Sequence, residues 1–207
     1  MKRWIVALVI LTLSAAPDPR TPHQKAIVSS VMIESGDGHG SGVRVLDGSY
    51  ILTAAHVVAG VAPVIAYPPG DCGYGPGLKC VVVKSDPSLD LTLLKVEGKG
   101  IPMMLGDEPL PADELMVIGG ANAPFGVNKG HCRAVYHKEY PTPLGHFSGR
   151  VVDISVPINF GDSGGPLVAD GKLAGIVVAI DAFKNQTSFA VSITEIRSFL
   201  ERPWTTR

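Results

Sequence analysis

Residues 166–180 read Pro-Leu-Val-Ala-Asp-Gly-Lys-Leu-Ala-Gly-Ile-Val-Val-Ala-Ile. Two apolar runs are joined by Asp170-Gly171, a pair that accepts the positive φ of a tight hairpin turn. The same unit recurs on both sides. Short β-type runs fall at 26–33, 42–46, 50–53, 61–67, 80–84, 91–96, 115–118, 151–156, 166–169, 173–180 and 188–192, and Asp47-Gly48 offers a second turn of the same kind. Short strands at this spacing predict an all-β fold, a barrel or a sandwich pair.

Composition agrees. The 207 residues hold 24 Gly and 17 Pro, with 45% apolar, 6% aromatic and 18% charged. That excludes a long-helix protein, a disordered chain and collagen. A chain of this size buries roughly 70% of its unfolded surface, enough for one large or two small domains. The net charge of −1 carries no electrostatic footprint of a nucleic-acid binder. The stretch 98–111 is the expected linker between two β halves, at about 26–105 and 106–192. One helix is expected at about 193–202. Ser192-Ile193-Thr194-Glu195 has capping-box spacing, Ile193, Ile196, Phe199 and Leu200 share a face, and Pro203 stops it.

The chain opens with Lys2 and Arg3, an apolar run from Trp4 to Leu13, and small residues through Ala16. This order predicts a secretory signal peptide over residues 1–16, with a short anchor as the rival reading. The run falls well below the roughly 20 residues of a spanning helix, so no further membrane span is expected. An exported chain allows disulfides, and Cys72 and Cys80 flank a turn-rich loop that one bridge would staple. Cys132 is left over, as a buried small hydrophobe or a free thiol. It adjoins His131, but no metal-ligand spacing accompanies the pair.

Three separated segments carry chemistry: Leu52-Thr53-Ala54-Ala55-His56, Asp90-Leu91-Thr92-Leu93-Leu94-Lys95, and Gly161-Asp162-Ser163-Gly164-Gly165-Pro166. A serine hydroxyl is a poor nucleophile until a neutral imidazole takes its proton. Imidazole suits that task because its pKa of about 6.5 lies near working pH. A carboxylate on the other ring nitrogen fixes the tautomer and stabilises the imidazolium. Glycines around Ser163 allow a sharp turn that brings the amides of Gly161 and Ser163 beside the nucleophile, where they would hold an oxyanion. A P-loop reading of the cluster fails for want of the Gly-Lys-Ser/Thr ending.

In residues, order and approximate spacing, these segments resemble the chymotrypsin-like (trypsin-like) serine proteases over about residues 26–200. The resemblance implies two six-stranded antiparallel β-barrels with the site in the cleft between them. It also implies His56 as base and then acid, Asp90 as its orienter, Ser163 as nucleophile, and no metal or organic cofactor. Asp86, in the turn Ser85-Asp86-Pro87, competes for the acid role, but the family motif falls on Asp90. Gly40-Ser41-Gly42-Val43, Pro124-Phe125-Gly126 and Phe189-Ala190-Val191 look like the protease domain of bacterial HtrA/Deg enzymes, without room for their PDZ domain. Asp162 stands where those often carry Asn, and the expectation is an internal cation for it, Arg133 or Arg150.

By the same resemblance the substrate pocket is framed by Pro157 and Ile158, by Val178, Ala179 and Ile180, and by Ser188 and Ala190. None is charged, so small or medium aliphatic side chains are expected rather than Lys or Arg, which would be buried without a partner. The strand 176–180 could receive an extended peptide by main-chain pairing. The expected partners are protein or peptide substrates, the expected location is secreted or periplasmic, and the oligomeric state is left open. The competing function is a catalytically inactive, protease-like binding module.

Overall fold

A computed structural model describes residues 20–36, 38–71, 75–120, 124–181 and 187–203. Twelve strands form two closed antiparallel barrels. The first contains β1 (Ser30–Ser35), β2 (Gly38–Val45), β3 (Tyr50–Ala54), β4 (Val64–Tyr67), β5 (Leu78–Asp86) and β6 (Leu91–Val96), in the order β1-β2-β3-β6-β5-β4. Pairing of Met32 with Tyr67 and of Ile33 with Ala66 closes it. The second contains β7 (Glu114–Gly119), β8 (Gly126–Thr142), β9 (Gly145–Ile154), β10 (Pro166–Ala169), β11 (Lys172–Asp181) and β12 (Thr187–Ser192), in the order β10-β11-β12-β9-β8-β7. This is the two-barrel architecture expected from the sequence.

Closure removes open sheet edges and turns one face of every strand inward. Val43, Val45, Leu52, Leu91 and Leu93 share one face of the first sheet and Ile51 and Leu94 the other, and all seven are fully buried in one apolar cluster. Leu115, Val117, Val152, Ile154, Leu167 and Val177 line the second, with Cys132 buried among them as a small hydrophobe. The Asp170-Gly171 hairpin forms as expected, with φ of 48° and 72° and Ala169 paired to Lys172. The Asp47-Gly48 turn differs. The left-handed positions are Leu46 and Gly48, while Asp47 turns its Oδ1 to accept from the N–H and hydroxyl of Ser49.

Two elements depart from expectation. Residues 22–29 form a helix, α1 (Pro22–Ser29), where a strand from residue 26 was expected. Thr21 caps it: its Oγ1 accepts from Gln24 N at 3.2 Å, Gln24 Oε1 accepts from Thr21 N at 2.9 Å, and Pro22 opens the first turn. The strand starts only at Ser30. The longest strand, β8, is absent from the sequence reading. It lies against β9 for most of its length but turns little apolar surface inward, and Cys132 is its one buried residue.

The C-terminal helix α2 (Ile193–Glu201) buries Ile193, Ile196 and Phe199. Its expected capping box does not form, because Ser192 makes no cap bond and Glu195 Oε1 instead accepts from Arg150 N on β9 at 2.9 Å. The far end of α2 grips the first barrel. Lys84 of β5 donates to the carbonyls of Phe199 and Arg202, and Arg202 pairs with Asp86 at 2.9 Å. The connection between barrels runs along β11, bonded there through Gly106 N to Leu173 O and Leu173 N to Met104 O.

The expected Cys72–Cys80 bridge is not formed. Cys80 is a free thiol whose Sγ points at Leu78 O, and burial on β5 raises its pKa to about 11. Cys72 and the signal segment lie outside the described residues. Among the described residues no helix is long and apolar enough to cross a membrane.

Candidate active site

The register of the first barrel dictates half of the site. Ala54 at the end of β3 pairs with Leu91 at the start of β6. One residue before Leu91 is Asp90, and two residues after Ala54 is His56, in a single 3-10 turn, Ala55–Val58. The two side chains therefore emerge side by side. Asp90 Oδ2 lies 2.6 Å from His56 Nδ1, Asp90 Oδ1 accepts from His56 N at 2.9 Å, and the Asp90 carbonyl accepts from Ala55 N at 3.0 Å. The Asp90 side chain is 7% exposed and that of His56 31%. A buried carboxylate on Nδ1 holds the proton there and leaves Nε2 as the basic position.

The turn ahead of Asp90 explains which aspartate is presented. Asp86 Oδ1 accepts from Ser88 N, Ser88 Oγ and Leu89 N, an Asx-type turn, while its Oδ2 meets Arg202. Asp86 is consumed in building the turn. Asp90 leaves it at φ 52°, a left-handed conformation that aspartate tolerates better than most residues.

The second barrel supplies the serine. Ser163 sits in the turn before β10, where Asp162 N donates to Asn159 O, Gly165 N to Asp162 O and Gly164 N to Val177 O. Gly164 has φ 82°, and a Cβ there would lie 2.2 Å from both Ser41 O and Thr53 Oγ1 and 2.9 Å from Ala54 N. Only glycine allows this approach. Gly40 is equally confined, since a Cβ would meet Val57 at 2.7 Å and Ser163 O at 2.9 Å. The serine turn thus packs directly against the residues flanking His56, across the junction of the barrels. Among the described residues, the N–H groups of Gly161 and Ser163 have no acceptor.

Asp162 is buried and its Oδ2 accepts from Asn159 N at 3.0 Å, with the carboxylate against Gly119, where a Cβ would come within 2.1 Å. The expected arginine partners lie elsewhere. Arg133 pairs with Asp153 and donates to Ile154 O, and Arg150 forms a two-pronged pair with Glu108 at 2.7–3.0 Å. Each guanidinium is held by another carboxylate, and neither is paired with Asp162.

Of the residues expected to frame a pocket, Pro157 is exposed, whereas Ile158, Val178, Ser188 and Ala190 are buried. Ile158 and Ala190 share the apolar cluster of the second barrel, and Val178 belongs to the other cluster, at the bulge where β11 shifts register. The backbones of Ala179 and Ile180 pair with Phe189 and Ser188, while their side chains lie outside the described set. Phe160 projects into solvent, 90% exposed. Sequence reasoning missed the contributions of Gly119, Gly120 and the Ser41 hydroxyl, which show only as close approaches between distant segments.

Residues 40–176 match the family described as a trypsin-like peptidase domain. The chain belongs to that family. It is 31% identical to the magnetosome formation protease MamE of Paramagnetospirillum magneticum over 94% of this chain and 29% of that one. It is 34% identical to a protein of Pseudomonas putida named as a DegP-like periplasmic serine endoprotease, over 66% of this chain and 28% of that one. The chain thus spans less than a third of the length of these curated relatives. Among solved structures, the active form of the Rv3671c protease from M. tuberculosis superposes with a TM-score of 0.78 at 26% identity, covering 97% of this chain and 92% of that one. Its inactive form gives 0.76 at 27% identity over 90% and 96%.

Proposed function

We propose that this chain is an exported serine endopeptidase, working in the periplasm or outside the cell, with His56, Asp90 and Ser163 as its catalytic residues. The observation that carries the reading is the doubly bonded His56–Asp90 pair, with a serine turn packed against the residues that flank His56 and two amides that have no acceptor among the described residues.

In this mechanism Ser163 Oγ attacks the scissile carbonyl while its proton passes to His56 Nε2. The carbonyl π pair moves onto oxygen, which Gly161 N–H and Ser163 N–H receive. Collapse of the tetrahedral species expels the amine, which takes the proton back from Nε2 and leaves an acyl-serine. Water repeats the sequence and releases the acid. Asp90 keeps the imidazole in the productive tautomer and offsets its transient positive charge. A single oxyanion donor of this kind is worth roughly 10²–10³ in kcat.

The primary pocket is read as Pro157, Ile158, Val178, Ala179, Ile180, Ser188 and Ala190, which favours small or medium aliphatic side chains. A peptide-library profile is expected to show aliphatic residues cleaved at least tenfold faster than Arg or Lys, and a basic profile would overturn that part. Export rests on residues 1–16 and on relatives whose names place them in the periplasm. The function is tested with a fluorophosphonate probe. Labelling of the wild type and not of Ser163→Ala supports the enzyme. An inert, folded wild type that also fails to cut casein would favour the inactive binding module.

A further inference from the structure

We propose that Ser41 is a positioning residue that sets the oxyanion hole from the opposite barrel, an inference that rests on the serine-protease reading above. Ser41 lies on β2, is 2% exposed, and stands across from the whole serine turn. Its Oγ donates to Gly161 O at 2.7 Å, and its N–H donates to Ser163 O at 2.8 Å. One residue therefore holds the carbonyl of each of the two residues whose amides would receive the oxyanion. Its own carbonyl accepts from Thr53 Oγ1 at 2.7 Å, which ties it to β3, the strand that leads to His56.

The geometry gives these bonds a specific task. Gly161 sits at φ 101°, where the peptide planes on either side can rotate with little steric resistance. Its carbonyl has two donors, Ser41 Oγ and the longer Gly120 N–H at 3.3 Å. Fixing that carbonyl fixes the plane that follows Gly161 and restrains the one before it, whose N–H must point into the cleft. Without the hydroxyl only the longer bond remains, and Gly161 N–H is free to turn from the reacting oxygen. Pre-aimed donors stabilise a transition state because they need no rearrangement when charge develops. The loss should therefore appear in turnover and in the binding of a transition-state mimic, and not in ground-state binding.

The test compares wild type, Ser41→Ala, Ser41→Cys and Ser30→Ala in the full chain, with a peptide substrate and a peptide boronic acid. Ser30 controls for loss of a buried hydroxyl, since its Oγ bonds to Ala26 O away from the serine turn. Removing a whole oxyanion donor costs roughly 10²–10³ in kcat, so weakening the hold on one predicts a fall of roughly 10- to 100-fold for Ser41→Ala. KM should stay within about twofold, and boronate affinity should weaken by the same factor as kcat. Ser41→Cys, with a weaker donor of similar size, should fall between, and it carries the comparison if Ser41→Ala does not fold. Ser30→Ala should lower the melting temperature and leave kcat in place. A folded Ser41→Ala or Ser41→Cys with wild-type kcat and boronate affinity overturns the role of Ser41 alone. A wild type that neither cleaves peptide nor binds boronate overturns the protease reading and this one together.

Discussion

The two barrels contribute to the site in different ways. The first delivers His56 and Asp90 from adjacent strand ends, and the pair is complete within that barrel. Register, a 3-10 turn and an Asx turn place both groups, and three hydrogen bonds lock them. The second delivers Ser163 on a turn whose shape depends on its neighbour. Residue 164 has room for no side chain against Ser41, Thr53 and Ala54, and the carbonyls of Gly161 and Ser163 are both held by Ser41. On the proposed reading, local sheet geometry suffices for the acid–base pair, whereas the nucleophile and its amides need a surface to be pressed against. The cleft between barrels supplies it.

The largest expected effects remove one chemical group from either side. Ser163→Ala and His56→Ala should each lower kcat by about 10⁶, with the double variant no worse, because groups that act as a unit do not add. Stopped kinetic assays on the three proteins check this, and additive losses would mean that the barrels act independently. Asp90→Asn should lower kcat by about 10⁴ through the wrong imidazole tautomer, whereas Asp86→Asn should change it by less than about fivefold. Equal losses at the two aspartates would break the distinction between the residue that shapes the turn and the one it presents.

Stability probes the dependence of one barrel on the other. Gly164→Ala should cost roughly 2–4 kcal/mol in denaturant unfolding, from the left-handed backbone and overlap with first-barrel atoms. The smallest effect is expected at Glu108, which joins the inter-barrel connection to β9 and α2 through Arg150 and Thr194. Its carboxyl is held below the ordinary range chiefly by the hydrogen bonds from Arg150. A carboxylate depressed in the folded state stabilises above its unfolded pKa, near 4.5, and that stability fades as pH falls below it. The pair is partly exposed, so screening limits it to about 0.5–1 kcal/mol. The wild type should lose more melting temperature between pH 5 and pH 3 than Glu108→Gln, and identical slopes would remove the pair from the account.

Much of this was legible in the sequence because the signals are local. Apolar runs such as 91–96 mark strands whose inward faces are almost wholly apolar, and Asp170-Gly171 contains its own turn chemistry. The three chemical segments also carry their meaning in residue type and order. β8 was illegible for a physical reason: a long strand with a single fully buried residue has no apolar rhythm to announce it. The α1 helix has a local signal in Thr21-Pro22-His23-Gln24 that the sequence analysis did not use, since the β-branched residues that follow suggest a strand. The errors at Glu195, Arg133 and Arg150 share a cause, since each side chain took a partner that the fold brings beside it instead of the one its spacing or charge suggested. The hydroxyl of Ser41 belongs to the same class of long-range contact.

The central claim is that the serine of one barrel becomes a covalent nucleophile under the base of the other. The most direct measurement is intact mass and peptide mapping after reaction with a slowly deacylating ester. The account predicts one acyl group on Ser163, none on Ser163→Ala, and acylation in His56→Ala slowed by several orders of magnitude. Acylation at another residue, or at an undiminished rate without His56, would contradict it.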